Sequence, residues 1–137
     1  MSLLSTKGIY GLHAMYQLFI TKSDKPMQIK EISSKADIPQ NYLEQLLATL
    51  RKSGLVESIR GAGGGYRLSK EPEGIMCSDI LEALEGTICQ VENPLKNEAM
   101  NLFWSESSAK IREVFEITLK ELCAYDEKTA QNFVYYI

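Results

Sequence analysis

A leucine-striped helix with a polar outer face, a short helix just before it, and a glycine-rich turn between two alternating stretches just after it predict the fold class. That class is mainly α: a winged helix-turn-helix with a two-stranded wing and a long C-terminal helix. In the first of these stretches, Gln40 to Gly54, the residues Leu43, Leu46, Leu47 and Leu50 recur at steps of three and four. This spacing places them on one stripe of a helix. Pro39 lies just ahead of its start, and Gly54 stands where a left-handed cap would end it. The opposite face carries Asn41, Tyr42, Glu44, Gln45, Thr49 and Arg51.

Taken in order, the chain starts with Ser5 or Thr6 as the cap of a first helix running to about Thr21. Ile9, Leu12, His13, Tyr16 and Ile20 line one face, and Tyr10, Ala14 and Leu18 another, so this helix is expected between two partners. A loop at Ser23 to Pro26 leads to a short second helix, Met27 to Ala36, with Ile29, Ile32 and Ser33 inward. Asp37-Ile38-Pro39 is the turn into the leucine-striped helix, which completes a helix-turn-helix. Leu55 to Arg60 and Tyr66 to Lys70 roughly alternate on either side of Gly61-Ala62-Gly63-Gly64-Gly65, the pattern of a β-hairpin and here of a wing. Ser78 to Glu85 reads as a helix with Ile80, Leu81 and Leu84 inward, stopped by Gly86. After a polar stretch to Asn101, Leu102 to Ile117 reads as a long amphipathic helix with Trp104, Ile111, Val114 and Phe115 on one face. Thr118 to Glu121 has the form of a capping box, so a short helix is expected from Thr118, ahead of an apolar tail, Phe133 to Ile137. Residues 1–86 are thus expected as a winged-helix domain, 87–101 as a loop, and 102–137 as a helix and tail.

Net charge is −3, but it is unevenly distributed. Residues 1–27 carry +2, residues 28–70 carry +3, and residues 71–137 carry −8. A basic half beside an acidic one points to a nucleic-acid face on the former. No apolar run approaches the ~18 residues of a membrane span, and the start lacks a signal-peptide pattern, so no membrane association and a cytoplasmic location are expected.

The major groove of B-DNA admits a helix, and bases are read there by side chains with paired donors and acceptors. Asn41, Tyr42, Glu44 and Gln45 occupy the N-terminal turns, where recognition helices meet base edges. Arg51 suits a phosphate. Arg60 suits an adjacent minor groove. Gly61, Gly64 and Gly65 allow close backbone approach. Lys7 combines its charge with a helix N-terminus. Tyr10 and Gln28 complete the expected DNA-contact set. A phosphate-cradling loop is excluded, because the glycine run leads into a strand and lacks a Gly-Lys-Ser/Thr ending. Since the winged-helix unit already has a core, the apolar face of Trp104, Ile111, Val114 and Phe115 is expected as a homodimer interface. A two-fold dimer suits a palindrome with half-sites ~34 Å apart. A winged helix used as a protein-interaction module is the alternative.

Three cysteines, none at C-x-x-C spacing, and a single histidine argue against a zinc site or other metal centre. Cys77 and Cys123 sit in apolar settings and are expected buried, whereas Cys89 is expected as an exposed thiol and candidate redox sensor. His13 is expected as a hydrogen-bonded core residue. No nucleophile–base pair or carboxylate pair supports catalysis, so no enzyme is expected.

Several of these motifs together resemble one family. Tyr42 to Leu47, Leu50 to Val56, Ser58 to Ala62 and Gly64 to Leu68 are similar to the IscR/NsrR/CymR-type bacterial transcription regulators. Ser5 to Gly8 with Tyr10 matches their start, Asp79 to Gly86 the helix after the wing, and Trp104 with Thr118-Leu119 the dimerisation region. The resemblance covers roughly residues 4–125. It implies a homodimeric DNA-binding protein, usually a repressor, that reads with Asn41, Tyr42, Glu44 and Gln45 and enters the minor groove with Arg60. Cluster-binding members carry three cysteines before the long helix, whereas this chain has only Cys89 there. Some members instead use a lone cysteine with residues of the partner's first helix. His13 lies where such a ligand would come from, but Ile9 stands where a carboxylate ligand would. The resemblance therefore points to the cluster-free branch, with no iron–sulfur cofactor and a signal that is thiol oxidation, a regulatory protein partner, or nothing bound.

Overall fold

Helix α1, Thr6–Ile20, is capped as expected by Ser5, whose side chain accepts the Lys7 N–H. The structure, a computed structural model, describes residues 3–21, 24–87, 93 and 95–135, the last five as backbone alone. Of the two faces expected of α1, that of Tyr10, Ala14 and Leu18 packs on the core, and the other one largely does not. Gly8, Gly11, Ala14 and Met15 are buried, while Ile9, His13 and Ile20 are exposed and Leu12 and Tyr16 are half-buried. Glycine adds nothing to an apolar stripe, yet it permits the closest approach of a neighbouring helix. At Gly11 a Cβ would collide with Leu84 Cδ1 of the helix packed there.

Helix α2, Ile29–Ala36, starts two residues later than expected, because Met27 pairs with Tyr66 of the wing and Gln28 is the N-cap. Ser33 Oγ donates to the Ile38 carbonyl at 2.5 Å across the turn. Helix α3, Gln40–Lys52, buries Leu43, Leu46, Leu47 and Leu50 as its stripe predicts. It ends with Gly54 at φ +76°, and the Leu55 N–H reaches the Leu50 carbonyl at 3.0 Å in a left-handed glycine cap. Leu43, Leu47 and Leu50 meet Ile32, Ala14, Met15, Ile80 and Leu119 in one core, each with 0 % exposure.

The wing consists of β1, Val56–Ile59, and β2, Gly65–Leu68, paired antiparallel with Glu57 opposite Arg67 and Ile59 opposite Gly65. Helix α4, Cys77–Glu85, ends at Gly86 with φ +84°.

Helix α5, Glu98–Val114, begins and ends earlier than the 102–117 reading. The Asn97 side chain accepts the Met100 N–H and starts it within the stretch expected as loop. Beyond Val114 the chain turns to pair with α4, where the Phe115 and Ile117 carbonyls accept the first N–H groups of that helix, from Ser78 at 2.8 Å and Cys77 at 2.7 Å. That pairing draws Leu119 into the core. Thr118 Oγ1 accepts the Glu121 N–H at 3.1 Å, but it caps a turn, and α6 starts only at Cys123. Helix α6 runs to Tyr135, so Phe133 to Tyr135 belong to a helix rather than to a tail.

Candidate nucleic-acid interface

Four leucines anchor α3 inward, so its other face is turned out: Asn41, Glu44, Gln45 and Arg51 are exposed, and Tyr42 is half-buried. Asn41 Oδ1 accepts the neighbouring Tyr42 N–H at 3.0 Å. Tyr42 is held from behind. Its ring meets Tyr10 edge to face, with centroids 5.8 Å apart at 77°, and its hydroxyl lies 3.2 Å from Thr6 Oγ1. The structure thus places Tyr10 half-buried as the support of Tyr42. Gln28 is exposed and makes no capping bond.

Arg51 Nη1 donates to Ser58 Oγ of β1 at 3.5 Å, which joins the outer face of α3 to the wing. At the wing tip Arg60 is exposed, Gly61 turns the chain at φ +99°, and the Gly64 N–H closes the turn on the Gly61 carbonyl at 2.9 Å. A Cβ at Gly64 would collide with the Ile59 carbonyl oxygen, so this glycine serves the turn itself.

Lys7 is exposed on the first turn of α1, but the amides beside it are taken. Glu85 Oε1 accepts the Ser5 N–H at 3.0 Å, the Gly8 N–H at 2.8 Å and the Ser5 hydroxyl at 2.5 Å. A carboxylate therefore already occupies part of the helix end at which Lys7 is expected to meet a phosphate. Glu85 and Thr6 escape a sequence reading because they act 80 and 36 positions away from their partners, with no local pattern to mark them.

Burial acts to raise the Glu85 carboxyl, but the Ser5 hydroxyl, the Gly8 and Ser5 N–H groups and the Lys7 charge outweigh it and hold it below the ordinary value of 4.5. A carboxyl lowered by folding contributes stability that is fully present above its ordinary value and is lost as pH falls through the folded one. The melting temperature of Glu85→Gln is therefore expected to fall less than that of the unsubstituted chain as pH drops below 4.5. Superimposable curves would remove Glu85 from the acid response.

The expected dimer face lies on α5 and its C-cap Phe115, and α5 buries none of its residues within the chain. Trp104 and Val114 are 40 % and 70 % exposed, Ile111 and Phe115 half-buried, and Leu102 and Phe103 also stand out. Arg112 fastens the helix to α4 by ion pairs to Glu82 and Asp79, with a further pair to Glu116.

Cys89, the expected sensor thiol, lies outside the described residues. Cys77 is buried, and burial first, then the Glu121 charge, push its thiol up to about 11, which disfavours the thiolate a metal requires. Cys123 is half-buried. His13, instead of joining the core, is exposed on a cleft shared with Tyr16, Lys35 and Asp126. Among the described residues no three His, Cys, Asp or Glu side chains come together as a metal site. No helix among them is long and apolar enough to cross a membrane.

Known proteins are similar to this chain in sequence and fold. A family model described as Rrf2, Iron-dependent Transcriptional regulator, matches residues 4–125. The HTH-type transcriptional regulator CymR of Bacillus subtilis is 39% identical over 140 residues, which cover 98% of this chain and 99% of that protein. The HTH-type transcriptional regulator IscR of Vibrio parahaemolyticus is 34% identical over 132 residues, covering 90% of this chain and 79% of its own. The solved structure of CymR, described as the global cysteine regulator of B. subtilis, matches with a TM-score of 0.79 at 41% identity, over 91% of this chain and 98% of that one.

Proposed function

The chain belongs to the Rrf2 family of transcriptional regulators, and we propose that it is a cytoplasmic homodimer that binds a palindromic DNA operator, usually to repress. The observation that carries this reading is the continuity of the polar face of α3 with the Arg60-tipped wing, through the contact of Arg51 with Ser58. A helix of this kind enters the major groove while the wing reaches the groove beside it. In this reading Asn41, Tyr42, Glu44 and Gln45 read bases, Arg51, Lys7 and Gln28 meet the backbone, and Arg60 enters the minor groove. Residues 1–86 bind DNA, 87–101 form the loop, and the helix within 102–137 pairs two copies through Trp104, Ile111, Val114 and Phe115.

The test is selection of genomic fragments by the purified protein, with its mass in solution measured alongside. A palindrome with half-sites ~34 Å apart is expected. Its affinity should fall by roughly 10³ to 10⁵ between 50 and 200 mM salt if six to ten phosphates are contacted. The protein should sediment at twice its 15.4 kDa mass. Recovery of random sequence would sink the operator reading, and a monomer would sink the dimer.

A further inference from the structure

We infer that Glu85 is a positioning residue for DNA recognition: it holds the first turn of α1 so that Thr6 and Tyr10 present Tyr42 to the groove. The inference rests on the DNA-binding reading above. Tyr42 is the largest side chain on the N-terminal turn of α3, where base edges are met. A tyrosine on such a turn is otherwise free to change rotamer. Here it is pinned twice, by the Thr6 hydroxyl at 3.2 Å and by the Tyr10 ring.

Both pins stand on the first two turns of α1, and the first turn of any helix has N–H groups without helical partners. Ser5 Oγ takes the N–H of Lys7 at 3.2 Å. Glu85 takes the Gly8 N–H and holds the cap residue as well, with one carboxylate oxygen accepting from the Ser5 N–H, the Ser5 hydroxyl and the Gly8 N–H. Its negative charge also sits at the positive end of the helix dipole.

The fit depends on glycine. A Cβ at Gly8 would stand 2.9 Å from Glu85 Oε1 and 3.0 Å from its Cγ, so a side chain there would move the carboxylate from this position. Gly11, one turn later, admits Leu84 in the same way. Ser5, Thr6 and Lys7 are themselves exposed, so the first turn gains no anchorage from burial of their side chains. Without Glu85 the turn carrying Thr6 frays, and the hydroxyl of Tyr42 loses its partner.

The experiment measures binding to the selected operator and to a random duplex of equal length, by fluorescence anisotropy. The proteins are the unsubstituted chain, Glu85→Ala, Glu85→Gln, Tyr42→Phe and the Glu85→Ala/Tyr42→Phe double variant. Glu85→Ala is expected to weaken operator binding about tenfold, the scale of one lost contact. Random-duplex binding, which rests on phosphate charge, should change little. Glu85→Gln keeps an acceptor oxygen and should stay within about threefold of the unsubstituted chain. In the Tyr42→Phe background the alanine should cost much less than tenfold, because the two residues act through one contact.

Operator affinity unchanged in Glu85→Ala overturns the inference. So do effects of the two substitutions that simply multiply, a glutamine variant as weak as the alanine, and equal losses on operator and random DNA. If Glu85→Ala does not fold, Thr6→Val decides, since it severs only the link to Tyr42. Affinity equal to that of the unsubstituted chain then overturns the inference. No operator preference in the unsubstituted chain would instead sink the DNA-binding reading and this inference with it.

Discussion

Arg60→Ala is expected to weaken operator binding by about 1–3 kcal/mol, roughly 5- to 150-fold. The other arginines near the wing are occupied. Arg67 Nε lies 2.6 Å from Glu57 Oε1, and Arg51 donates to Ser58. Arg60 forms no ion pair among the described residues and is exposed at the end of β1, where Gly61 turns the chain. A narrow minor groove concentrates negative potential, so a guanidinium inserted there gains far more than one left in water. Truncation opens no cavity, because the side chain is outside the core. The effect on folding stability should therefore stay within about 0.5 kcal/mol. Anisotropy titration with the selected operator, beside a thermal melt, separates the two quantities. If the variant binds as tightly as the unsubstituted chain, Arg60 is not at the interface.

Gly65→Ala should act on the fold itself and through it on binding. Gly65 has φ +154°, and a Cβ there would collide with the Met27 carbonyl oxygen and lie 2.6 Å from the Met27 carbonyl carbon. These are backbone atoms, which cannot swing aside as a side-chain tip can. Met27 and Tyr66 exchange two backbone hydrogen bonds of 2.8 Å, and these hold the wing against the start of α2. Losing both at about 1 kcal/mol each, with about 1–3 kcal/mol of backbone strain, gives a destabilisation of about 3–5 kcal/mol. That corresponds to a fall in melting temperature of roughly 10 °C or more. Gly74→Ala is the control, since its Cβ meets nothing within 4 Å and its φ is not positive. Equal melting temperatures for the two variants would show that the wing tolerates a side chain at this bridge.

The signals legible in the sequence were those complete within one element. The leucine spacing of α3, its glycine cap and the alternation around the wing each depend on residues a few positions apart. On α1 the pattern of apolar side chains marks the Tyr10, Ala14 and Leu18 face that packs on the core, but it gives no sign that Gly8 and Gly11 bury their backbone against α4 and leave Ile9 and Ile20 exposed. Likewise Thr118 looked like a helix start, but its segment was drawn into pairing with Met76, and that competing contact is distant in the chain.

By itself the sequence determined the order of elements, the leucine stripe that turns the polar face of α3 outward, and the glycine turn that carries Arg60. Periodicity and turn chemistry are local, so they survive without knowledge of the partner. The tertiary structure alone decided that Gly8 and Gly11 of α1 lie inside, where α5 begins and ends, and what holds Tyr42. Each of these depends on which remote groups come together. The pairing of Glu85 with an amide 80 residues away follows from how α1 crosses α4, not from any spacing along the chain.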